Sequence, residues 1–290
     1  LCFGALKKLS LRKKIMSVLI TGIAGIGQVR DEITTVAGFL WHKGWAERNA
    51  GNLSYNITQY FDAPPGDSDF EAPVALPRTF ANLNDQLLLV TASNSRMRDV
   101  AADIPANMCL LQIIDGGKAY RQLKKPAPEK MKPPTSELPT HLAIHDKLCA
   151  ENRPEKVVIH THPNRLIAMT HIREFCNQSV INNILWSMQP ETCVYIHDGL
   201  GFVPYMQTGS DALALATLAA LDRHRIVLWE KHGCLAIGEN AREAFDLIDI
   251  AGKSADIFFI CRNAGFQAEG IPLAELKKLR ESFGIAQPEE

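Results

Sequence analysis

The stretch Val157-Val158-Ile159-His160-Thr161-His162-Pro163 constrains this chain more than any other. An apolar, β-branched run leads into a His-x-His pair. In an extended chain residues i and i+2 share a face, so a strand here sets His160 and His162 side by side, able to grip one metal ion. Imidazole is the commonest protein ligand for zinc, and zinc sites that do chemistry usually have three protein ligands and an open position. The competing reading is a sheet end whose two histidines hydrogen-bond to carbonyls. The pair alone does not separate the two.

The remainder of the chain narrows the choice. With 290 residues, 46% hydrophobic and 22% charged, it has ordinary globular composition and room for one large domain or two small ones. Its 31 basic and 32 acidic residues leave a net charge of -1, without the basic footprint of a nucleic-acid binder. No apolar run approaches the roughly 20 residues that span a bilayer, so neither nucleic acid nor membrane is an expected partner. The seven cysteines are scattered and show no C-x-x-C spacing, which argues against a disulfide framework and for a reducing cytoplasm. Lys7-Lys8 and Arg12-Lys13-Lys14 precede an apolar run at residues 15–26 that imitates a bacterial signal peptide. Gly22 and Gly25 break that run, and it has no small-x-small cleavage site. The glycines at 22–27 lack the strand and spacing of a dinucleotide loop. Residues 1–15 are therefore expected to be a non-native or flexible extension, and 16–290 a single domain.

Along the chain, Val29, Ile33, Val36, Ala37, Leu40 and Trp41 give helical spacing over 29–48. Asn49-Ala50-Gly51-Asn52-Leu53-Ser54 is either simple turn chemistry or a backbone nest for a phosphate. Residues 62–82 read as an irregular surface loop. Strands are expected at 86–91 and 108–114, with a hydroxyl-rich turn at Thr91–Arg96 between them and a hairpin signal at Asp115-Gly116-Gly117. Residues 124–134 read as a linker within the domain. Thr135 or Ser136 can cap a helix that runs to about Ala150, which would make Glu137 a first-turn glutamate suited to the helix dipole. A short helix is expected from Pro163 to Ile172, a mixed segment at 174–190 anchored by Trp186, and a strand from Cys193 to Ile196 after Glu191. Ser210 caps a helix from Asp211 to about Arg223. Ile226–Trp229 and Cys234–Ile237 are strands around the tight turn Glu230-Lys231-His232-Gly233, and helices follow at 241–262 and 272–283. Hairpins mixed with helices point to a mostly antiparallel sheet with helices on its faces.

Four segments, in this order, resemble the class II aldolase/adducin family: Asn49–Ser54, Pro134-Thr135-Ser136-Glu137, His160-Thr161-His162 and His232-Gly233. The likeness covers about residues 29–283. Gly44-Trp45-Ala46-Glu47-Arg48-Asn49, Leu228–Gly233, and Leu185-Trp186 with Glu191 look most like the members that cleave L-rhamnulose 1-phosphate. The resemblance implies a three-layer α/β/α fold with a central, mostly antiparallel sheet. It implies a homotetramer with active sites near subunit interfaces. It also implies one zinc ion per subunit on His160, His162 and His232, and Glu137 as catalytic acid/base. Glu191 becomes a second carboxylate that reaches the site from a neighbouring subunit. Asn49, Gly51, Asn52, Thr91, Ser93, Asn94, Thr135 and Ser136 become a phosphate cradle. One departure stands out: the family usually has a Gly-Ser-Gly type turn where this chain has Ala92-Ser93-Asn94. Asn tolerates the left-handed region and can serve at 94, whereas Ala92 shifts the phosphate geometry.

The chemistry implied needs these residue types. Cleaving C3–C4 of a ketose 1-phosphate leaves an electron pair at C3, tolerated as an enediolate whose charge a Lewis-acid metal stabilises. Three neutral imidazoles leave such an ion its full charge and open positions. Two carboxylates divide the proton work, Glu137 at C3 and Glu191 at the C4 hydroxyl. Phosphate held away from the breaking bond positions the reacting atoms. Members acting on fuculose or pentulose phosphates, epimerases and dehydratases among them, share the metal grip and differ in the second acid/base, so Glu191 discriminates. Non-catalytic adducin-like scaffolds are expected to lose metal ligands, and this chain keeps all three.

Overall fold

A computed structural model describes residues 26–62, 65–125 and 131–287. The expected extension at 1–15, the apolar run before Ile26 and part of the 124–134 linker lie outside them. Helix α1 (Ile26–His42) forms because Val29, Ile33, Val36, Ala37 and Leu40 make one buried stripe. It stops at His42 rather than near residue 48. Gly44 takes φ 68°, and the Gly44 and Trp45 N–H groups, each 3.0 Å from their acceptors, close on the carbonyls of Trp41 and Leu40. This is a Schellman ending, which glycine permits at low cost.

The chain folds as two units, one running to Val158 and including Glu239–Ala241, the other comprising Ile159–Gly238 and the residues from Arg242 onward. The first unit holds α1, β1 (Asn52–Asn56), β2 (Val74–Ala75), β3 (Leu87–Thr91), helices α2 (Met97–Ala102) and α3 (Ile104–Asn107), β4 (Met108–Ile114), β5 (Ala119–Gln122) and α4 (Leu138–Ala150). Its strands bond in the order β2-β5-β4-β3-β1, with every pair antiparallel. Strand β6 (Val157–Thr161) starts here, where the Asn56 N–H donates to the Lys156 carbonyl at 2.8 Å, and carries the chain into the second unit.

The second unit continues with helices α5 (Asn164–Met169), α6 (Gln178–Met188) and α7 (Pro190–Tyr195), β7 (Gly201–Val203), α8 (Asp211–Ala220), β8 (Ile226–Trp229), β9 (Gly233–Gly238), α9 (Ala241–Asn263) and α10 (Leu273–Ser282). The order is β6-β9-β8-β7. Strands β8 and β9 are antiparallel from Ile226↔Ala236 to Trp229↔Gly233, and β7 runs parallel to β8. The expected α/β class, with mostly antiparallel strands flanked by helices, is borne out.

Some local expectations need correction. Glu191 does not precede a strand: Pro190–Tyr195 is helix α7. Pro190 presets a helical φ at the first position, Glu191 suits the helix start, and Thr192 is tied to Gln189 and Ser254. These outweigh the strand preference of Thr, Val, Tyr and Ile, which depends on context. The mixed segment at 174–190 contains helix α6, whose N-cap Asn177 accepts from the Val180 N–H at 3.1 Å. Helix α4 starts one residue later than a Ser136 cap would give. Glu137 is its N-cap, with no side-chain cap bond. The loop at 62–82 contains the exposed edge strand β2.

Candidate active site

Strand β6 is buried along its whole length, so its polar residues must find partners inside the protein. His160 is 1% exposed, and its Nδ1 lies 2.9 Å from the Cys234 carbonyl on β9. A carbonyl can only accept, so Nδ1 carries the hydrogen and Nε2 keeps its lone pair. That lone pair faces His162, one residue past the end of β6, across 3.2 Å between the two Nε2 atoms. His232, in the turn between β8 and β9, completes the group: one ligand nitrogen from each ring lies within 4.8 Å of the others. Of the two histidines in the pair, His160 makes the carbonyl bond, and that bond at Nδ1 leaves Nε2 turned toward its neighbours.

The surroundings fix the three rings. The Trp229 ring lies 4.6 Å from His160 and 5.0 Å from His232, and its Nε1–H donates to Thr217 Oγ1 at 2.9 Å. A Cβ on Gly233 would sit 2.6 Å from the Thr161 carbonyl oxygen and 2.8 Å from His162 Cδ2, so only glycine fits there. Lys231 takes φ 57° in the same turn, held by its N–H donating to Thr170 Oγ1 at 2.8 Å. Glu230 accepts from the Tyr205 N–H and pairs with Lys231 at 2.6 Å, and the Lys231 hydrogen bond, first, holds its carboxyl below the ordinary range.

The donor set fits a divalent ion. A tetrahedral ion with metal–nitrogen bonds of about 2.0–2.1 Å keeps neighbouring ligand nitrogens about 3.3 Å apart, close to the 3.2 Å seen. The carbonyl partner on His160 Nδ1 is the kind of bond that metal-ligating histidines make with their second nitrogen. Glu191, exposed in the first turn of α7, is not part of the histidine group.

In the first unit, three segments that were separate in sequence meet. The Thr91 hydroxyl accepts from the Leu53 N–H at 2.9 Å and donates to the Leu53 carbonyl at 3.1 Å. The Thr135 N–H donates to the Thr91 carbonyl, and the Ser93 N–H to the Pro133 carbonyl. Gly51 and Asn94 sit at φ 74° and 58°, so the asparagine at 94 does occupy the left-handed region. Asn49, Asn94 and Ser136 are exposed, and Ser93 and Thr135 half-buried. Glu137 receives a hydrogen bond from Asn52 Nδ2 at 3.1 Å, and its own N–H reaches Thr135 Oγ1 at 3.4 Å.

Three buried residues in this unit escape the motif reading. Asn52 Oδ1 meets His141 Nε2, His141 Nδ1 lies 2.6 Å from Ser54 Oγ, and His145 Nε2 lies 2.8 Å from the same oxygen. The only sequence signal is the i, i+4 spacing of His141 and His145, which puts both on one face of α4. Burial, with lesser contributions from His141 and Lys156, lowers the His145 pKa to about 3.

The sequence pattern described as Class II Aldolase and Adducin N-terminal domain matches residues 31–259. A rhamnulose-1-phosphate aldolase of Bacteroides thetaiotaomicron is 39% identical over 256 residues, 88% of this chain and 94% of that protein. One from Pectobacterium atrosepticum is 35% identical over 85% of this chain and 90% of its own length. Among solved structures, a sugar-phosphate aldolase from Thermotoga maritima aligns with a TM-score of 0.72 and 32% identity, covering 84% of this chain and 99% of that one. On this breadth of match the chain belongs to the class II aldolase and adducin family.

Proposed function

We propose that this protein is a zinc-dependent aldolase that splits L-rhamnulose 1-phosphate into dihydroxyacetone phosphate and L-lactaldehyde. The observation that carries the reading is the convergence of three imidazole nitrogens within 4.8 Å. The names of the relatives at 35 and 39% identity support the substrate. Three nitrogen donors favour zinc over harder ions such as magnesium or calcium. His160, His162 and His232 would hold one ion per subunit, which supplies Lewis-acid stabilisation of the charge that develops on the substrate's C2 oxygen.

The protein's own groups do the remainder. Asn49, Gly51, Asn52, Thr91, Ser93, Asn94, Thr135 and Ser136 cradle the phosphate, a role supported by the positive φ at Gly51 and Asn94. Glu191 takes the proton of the C4 hydroxyl as C3–C4 breaks, acting from a neighbouring subunit of a homotetramer. Its exposed place on α7, apart from the histidines, supports that. Glu137 delivers a proton to C3. Residues 16–290 act as a single class II aldolase-like domain in the cytoplasm, without nucleic acid or membrane as partner. No helix among the described residues is long and apolar enough to cross a membrane.

The test is a coupled assay of purified, zinc-loaded protein with L-rhamnulose 1-phosphate, L-fuculose 1-phosphate and a pentulose 5-phosphate, following triose phosphate. Strong preference for the first is expected, together with loss of cleavage on chelation. Glu137→Gln should lower kcat by orders of magnitude while zinc stays bound. No triose phosphate from any of the three, with zinc bound, would move the protein to an epimerase, a dehydratase or another sugar.

A further inference from the structure

We propose that His141 is a positioning residue for Glu137: through Asn52 it fixes the orientation of the Glu137 carboxylate, and Ser54 and His145 set the tautomer of His141 that can do so. The inference rests on Glu137 being the acid/base.

The hydrogens of this network run in one direction. An ionised carboxylate only accepts, so the Asn52 atom 3.1 Å from Glu137 Oε2 is the amide nitrogen. The amide oxygen therefore faces His141 Nε2, which must donate to it. A neutral imidazole has one N–H. With it on Nε2, His141 Nδ1 is an acceptor and takes the Ser54 hydroxyl hydrogen at 2.6 Å. The Ser54 oxygen then accepts from His145 Nε2–H at 2.8 Å. Every hydrogen along the chain is donated in the direction of Glu137.

The surroundings favour this sense. His141 and His145 are each 1% exposed and Ser54 is fully buried, so a cationic ring here would be costly. His145, its pKa lowered to about 3, stays neutral through the ordinary pH range. The four residues come from β1 and α4. Asn52 alone could rotate its amide by half a turn and offer oxygen to a carboxylate. With His141 donating to that oxygen, the turned amide would leave an N–H facing an N–H. The network holds Glu137 by making the wrong amide orientation unfavourable.

The proton step offers a direct readout. In D2O, Glu137 would remove one hydrogen from the reactive carbon of dihydroxyacetone phosphate, exchange it with solvent and return deuterium to the same carbon. We would follow that incorporation by NMR in zinc-loaded protein carrying His141→Leu, His141→Gln and, separately, Glu137→Gln. Leu removes the donor, whereas the Gln amide can place an N–H where Nε2 stands. The expected result is a loss of about 10- to 100-fold for His141→Leu, as for a misplaced reacting group, largely restored by His141→Gln. Histidine labelled with nitrogen-15 in the unsubstituted protein should report both His141 and His145 as neutral Nε2–H tautomers. Equal loss in the Leu and Gln variants, or no loss in His141→Leu, overturns the proposal. So does an imidazolium or Nδ1–H signature at His141, which decides the matter where His141→Leu does not fold. Exchange in Glu137→Gln at the unsubstituted rate would instead overturn the acid/base reading itself, whereas loss there with full rate in His141→Leu would sink only the positioning role.

Discussion

Gly233→Ala is the substitution whose outcome the geometry fixes most tightly. An added Cβ would lie 2.6 Å from the Thr161 carbonyl oxygen, 2.8 Å from His162 Cδ2 and 3.2 Å from His160 Cε1. Ordinary contact begins at 3.4 Å, so the closest pair must separate by about 0.8 Å. The carbonyl belongs to β6, which is buried throughout and has no free side to yield toward. The turn at Glu230–Gly233 is the part that can give, and it carries His232. Forcing one carbon into a packed interior costs about 1–3 kcal/mol. Disturbing the supports of a metal ligand typically costs about 10- to 100-fold in affinity. The metal-free variant should therefore unfold at lower denaturant concentration by that energy, and chelator competition should show zinc bound about 10- to 100-fold more weakly. Gly38→Ala is the matched control. Nothing lies within 4 Å of its Cβ position in α1, and it should stabilise by about 0.5–1 kcal/mol. If Gly233→Ala matched the unsubstituted protein in both stability and zinc affinity, the close-packed account of this turn would be wrong.

Other expectations follow from the same kind of reasoning. Trp229 lies against two of the three histidines, so adding cobalt to metal-free protein should quench part of the tryptophan emission, and Trp229→Phe should abolish that part; quenching unchanged in the variant would place the ion elsewhere. His145 titrates near 6.5 when unfolded but is held to about 3 when folded. It contributes nothing above the unfolded pKa, and stability should fall as pH drops from about 6.5 toward 3, by at most about 1.4 kcal/mol per pH unit. Urea midpoints between pH 7 and pH 5 should show a shallower slope in His145→Gln, and an equal slope would assign the acid sensitivity to other groups. Asn177→Ala removes the cap on the Val180 N–H and should cost about 1 kcal/mol by chemical denaturation without changing zinc affinity.

What was legible in the sequence followed from local rules. The strand Met108–Ile114 matches its expectation to the residue, and Ser210 caps α8 as expected, accepting from the Leu213 N–H. The His-x-His pair could be read because a strand's period is set by stereochemistry alone. Helix α6 was hidden because a polar residue, Asn182, interrupts its buried face of Ile181, Leu185 and Trp186; Asn182 is buried there to bond both the N–H and the carbonyl of Leu200. Helix α7 resembles a strand in sequence because its short run of β-branched and aromatic residues favours one, and the Thr192–Ser254 bond that helps hold the helix is visible only in the structure. The chain from Glu137 to His145 was invisible because Asn52 and Ser54 lie 85–91 residues from most of their partners.

The Thr91 hydroxyl, bonded to both the N–H and the carbonyl of Leu53, acts where a strand neighbour would. That limits the vocabulary of the position. Of the genetically encoded side chains, Ser and Thr alone place a hydroxyl on Cβ. Valine has threonine's shape, yet it would leave two buried backbone groups without partners, at about 1–3 kcal/mol each. In a library randomised at this codon, survivors should read Ser or Thr, and the apparent conservatism of a valine should prove false.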